Sequence, residues 1–78
     1  MGLQLNVLFP GGKRVDVEVG GFTIPTDQLV ADGGDGSAPP PFFLFLGSIA
    51  TCAGIYALIF GQRRELATQG LGLTMDWV

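Results

Sequence analysis

A chain of 78 residues is one domain at most and too short to bury a large core unaided. Four basic and seven acidic side chains give a net charge of −3, and Lys13, Arg14, Arg63 and Arg64 cannot neutralise a run of phosphates, which excludes nucleic acid as a partner. With no histidine and one cysteine, Cys52, the sequence excludes Ser-His-Asp and Cys-His chemistry in cis and an intrachain disulfide; no metal and no cofactor are expected. A single unpaired thiol suits a reducing compartment, and the N-terminus shows no basic-then-apolar leader, so a cytoplasmic location is expected. Self-association is the remaining common route to a larger core.

In chain order, Leu3, Leu5, Val7 and Phe9 alternate with Gln4, Asn6 and Leu8, which predicts a strand near 3–9. Pro10-Gly11-Gly12-Lys13 supplies hairpin turn chemistry. Val15, Val17 and Val19 then alternate with Arg14, Asp16 and Glu18, predicting a strand over 14–19 with one wet face. Gly20-Gly21 breaks it, and Phe22-Thr23-Ile24 forms a third short strand that ends at Pro25. Leu29-Val30-Ala31 adds a few extended residues. The segment Asp32 to Pro41, DGGDGSAPPP, holds no regular element; Ser37 or a proline-led first turn starts the helix beyond it. That helix is expected near 40–64, since Phe42 to Gly61 is free of charge and Arg63-Arg64 suit the negative end of its dipole. Leu71, Leu73, Met75 and Trp77 alternate again and predict a last strand near 71–77.

At about 100° per residue, Phe43, Gly47, Thr51, Gly54, Leu58 and Gly61 fall on one stripe of the helix, with Phe45, Ser48, Ile49, Cys52, Tyr56 and Ile59 near the opposite side. The small residues at 47, 51, 54 and 61 invite close approach of a second backbone, in a soluble or a membrane setting alike. Twenty uncharged residues also meet the length of a membrane span. The charged strand faces favour a soluble α+β domain with this helix buried, and no membrane partner is expected.

Cys52 is the only plausible nucleophile. It lies about three turns inside the helix, beyond the reach of the dipole at the N-terminus, so activation requires a cation from elsewhere; Arg14 is the best-placed strand residue. The competing reading is a buried, inert cysteine. The Asp32–Gly36 loop lacks the Lys-Ser/Thr ending of a phosphate loop and the spacing of a calcium loop, and reads as a tight turn. Asp16 and Glu18 read as solvated sheet residues, Arg63-Arg64 as helix caps and Ser48 as a hydroxyl bonded back to its own helix.

One stretch is more specific. Gly33 to Phe42, followed by Leu44 to Cys52, resembles the signature of the OsmC/Ohr family of small thiol proteins, many of them hydroperoxide reductases. The shared pattern is a glycine-rich loop, a proline-rich entry, and an apolar helix with small residues just before a cysteine; it covers about residues 20–78. The resemblance implies a β-meander followed by a long central helix, and intertwined dimers. It also implies that Cys52 matches the thiolate that attacks organic hydroperoxides, held by an arginine of the N-terminal sheet, for which Arg14 is the local candidate. The chain departs from the pattern in three ways. It has about half the usual length, lacks the second, resolving cysteine, and carries Phe43 where an acid usually stands.

The expectation is therefore a partial OsmC-like domain over 1–78, completed by dimerisation. Cys52 matches the peroxidatic cysteine, and activity is impaired in this short form. The alternatives are a non-catalytic homodimeric module and, third, a small membrane-associated protein.

Overall fold

A computed structural model describes residues 2–77. The chain divides into two compact units, Met1–Leu44 and Phe45–Val78. The first holds an antiparallel sheet of order β1-β2-β3, with β1 over Asn6–Gly11, β2 over Arg14–Val19 and β3 over Phe22–Thr26. One helix, α1, runs over Pro41–Arg63 and provides most of the second unit. The α+β class expected from the periodicities is what forms.

The middle strand forms where alternation predicts it, over 14–19, because each residue has a partner across the ladder. Val7, Val17 and Ile24 stand side by side on one face, and Leu8, Asp16 and Pro25 on the other. β1 begins three residues later than expected. Its first pair is Asn6 with Glu18, and β2 ends at Val19, so Leu3 and Leu5 have no strand to face. β3 runs two residues further than expected, through Pro25, which an edge strand tolerates because one side of its ladder needs no donor. Gly12 (φ 59°) carries the tight turn between β1 and β2 in a left-handed conformation.

Residues 30–32 are a short 3-10 turn rather than extended chain. The helix starts at Pro41, one residue from the expected boundary, and the proline-led start is the one used; Phe43 N–H donates to the Pro40 carbonyl at 3.0 Å. Ser37 is bonded elsewhere. Within α1, Ser48 Oγ donates to the Phe45 carbonyl at 2.7 Å and Thr51 Oγ1 to that of Gly47 at 2.8 Å, so both hydroxyls are satisfied without water.

The strand expected over 71–77 does not form: these residues have no regular secondary structure and belong to no ladder. Alternation alone makes a strand only when a partner edge is supplied, and the second unit contains none. Within the single chain α1 buries only Gly61. Among the described residues no hydrophobic side chain is buried; the buried polar ones are Asp16, Thr26 and Asp27. By length and composition, α1 meets the criterion for a membrane span, with a mean hydropathy of 2.1 in its most apolar window.

The helix closes with a full Schellman arrangement. Leu66 N–H donates to the Gly61 carbonyl at 2.9 Å and Glu65 N–H to that of Gln62 at 3.1 Å. The residue that reverses the chain is Glu65, at φ 57°, in a conformation that glycine adopts without penalty and an L side chain does not. Its charge also sits at the negative end of the dipole. Glu65→Gly is therefore expected to stabilise the fold by ~1 kcal/mol. A higher urea midpoint at unchanged slope checks this, and a lower midpoint would contradict it.

Candidate functional site

The two residues singled out for chemistry lie in different units, Arg14 in the first and Cys52 in the second. Cys52 is exposed within the single chain. It sits mid-helix on the side of α1 that also carries Ser48 and Tyr56, both exposed. Phe43, where the resemblance leads one to expect an acid, is 52 % exposed in the first turn, and that turn contains no acidic residue.

Arg14 is already partnered. Positions 14 and 16 project from the same face of β2, so their side chains are neighbours. Arg14 Nη2 donates to both oxygens of Asp16, at 3.0 and 2.9 Å. Asp16 is 7 % exposed, so it is a buried ion-pair member rather than the solvated residue that strand alternation predicts. Leu8 and Pro25 flank it across the ladder, and the Arg14 guanidinium bonds both of its oxygens. Arg14 Nε is buried without a hydrogen-bond partner. The arrangement commits the only strand arginine to a local carboxylate.

A polar cluster that the sequence reading passed over orders the glycine-rich loop. Asp27 is 1 % exposed and accepts three hydrogen bonds. Gln28 N–H reaches one oxygen at 2.7 Å, and Ser37 N–H and Oγ reach the other at 3.0 and 2.5 Å. Gly36 N–H donates to the Gln28 carbonyl at 3.0 Å and Asp27 N–H to that of Pro39 at 3.2 Å, so both ends of the loop are tied together just before α1 begins. Thr26 beside it donates through Oγ1 to the Val15 carbonyl. Only glycine fits at position 34, because a Cβ there would collide with the Gln28 carbonyl and stand 2.8 Å from Asp27 Oδ1. The available signal was an aspartate followed, across a Gly-rich stretch, by a serine. Asx-type bonding to nearby N–H groups is the common use of such an aspartate.

The second unit holds an apolar groove of about 640 Å³ between α1 and the segment that follows it. Ala50, Gly54 and Leu58 line one side, and Leu71, Leu73 and Met75 the other; Cys52 takes no part. Among the described residues no cluster of His, Cys, Asp or Glu is able to hold a metal ion. Comparison with known protein families, curated proteins and solved structures finds no match for this chain.

The Asp27 carboxyl is held down to about 2 from an ordinary 3.8, first by the Ser37 hydroxyl and then by the Ser37 N–H, against an opposing effect of burial. A depressed carboxyl contributes stability that is complete above pH 3.8 and is lost as pH falls through about 2. Asp27→Asn is expected to lower stability at neutral pH and to flatten the loss between pH 4 and 2. Urea midpoints of both proteins at pH 7, 4 and 2 check this; parallel pH profiles would contradict it.

Proposed function

We propose that this chain is an OsmC-like thiol protein related to the hydroperoxide reductases, self-associating, with Cys52 in the place of the peroxidatic cysteine and its reactivity impaired in this form. The observation that carries the reading is the placement of an exposed thiol midway along an apolar helix, entered from an antiparallel sheet through an ordered Gly/Pro loop. In the reaction of that class, the thiolate sulfur attacks one oxygen of an organic hydroperoxide. An S–O bond forms, the O–O bond breaks, and the leaving alkoxide takes up a proton to become an alcohol. The sulfur is oxidised by two electrons to a sulfenic acid. A dithiol reductant then displaces water through a mixed disulfide and leaves as its cyclic disulfide, returning the thiol.

The impairment has three sources in this chain. No second cysteine is present to resolve the sulfenic acid. The Arg14 guanidinium is engaged by Asp16. Phe43 cannot orient an arginine as a carboxylate would. The same three facts favour a second reading, a homodimeric module that keeps the architecture without chemistry.

Restoring the missing parts separates the two readings. With cumene hydroperoxide under dithiothreitol, the Cys52-dependent oxidation rate of the wild-type chain is expected to be no faster than that of free cysteine. Phe43→Glu combined with Asp16→Asn, which supplies an acid and releases Arg14, is expected to raise that rate severalfold or more, with Cys52→Ser abolishing the gain. A folded double variant with an unchanged rate would leave the structural module as the surviving reading.

A further inference from the structure

We draw no further inference here: the strongest candidate, the apolar groove between α1 and the segment that follows it, lined by Ala50, Gly54, Leu58, Leu71, Leu73 and Met75, carries nothing, because nothing in the structure shows what fills it.

Discussion

Helix α1 imposes the constraint on which the rest of the molecule depends: 23 residues, the central twenty without a charge, in a chain that buries no hydrophobic side chain among its described residues. Burying one large apolar side chain is worth ~1.5–3 kcal/mol, so leaving this helix in water forgoes the main driving force available to so short a chain. Its internal order is nevertheless complete. The backbone is closed at the far end by the Schellman turn, and both mid-helix hydroxyls bond to their own carbonyls. A helix satisfied within and apolar without is poised to be covered by something else.

The first unit meets the same shortage differently. Its three strands carry a valine-rich face that is at best partly covered, and its order comes from ladder bonds and two polar clusters. The Arg14–Asp16 pair closes over one face of the sheet, and Asp27 gathers Gln28 and Ser37 to fold the glycine-rich loop back on itself. These bonds bear on the proposed function as well as on folding. The clasp at Asp27 ends where α1 begins, so it sets the entry to the helix that bears the thiol. The Arg14–Asp16 pair commits the one strand arginine to a local carboxylate. The proposed loss of peroxidase chemistry and the observed local order thus have a common origin in how this chain spends its few charges.

How far the sequence foretold this varies with the range of the physics involved. Residues 14–19 and the helix near 41–63 were legible because alternation and an uncharged run are local signals, and proline marks the helix start. β1 was misplaced by three residues because strand limits are set by the partner, which no local pattern encodes. The alternation over 71–77 was real, but without a ladder it yields only an irregular segment, part of which lines the groove. Burial of Asp16 and Asp27 was invisible for a related reason: each depends on residues brought beside it by pairing or by loop closure, Leu8 and Pro25 in one case and Ser37 in the other. Cys52 was correctly located on its helix; whether it is covered is decided by what α1 packs against, and the sequence carries that information only through the helix's lack of charge.

The central claim is that the apolar helix makes this chain incomplete as a monomer in water. Sedimentation equilibrium of the wild-type chain in detergent-free buffer, with helix content followed by circular dichroism over the same concentrations, tests it most directly. A soluble species of twice the chain mass whose dissociation on dilution is accompanied by loss of helix is the expected result. A monodisperse monomer that keeps its full helix content at the lowest concentration would contradict it.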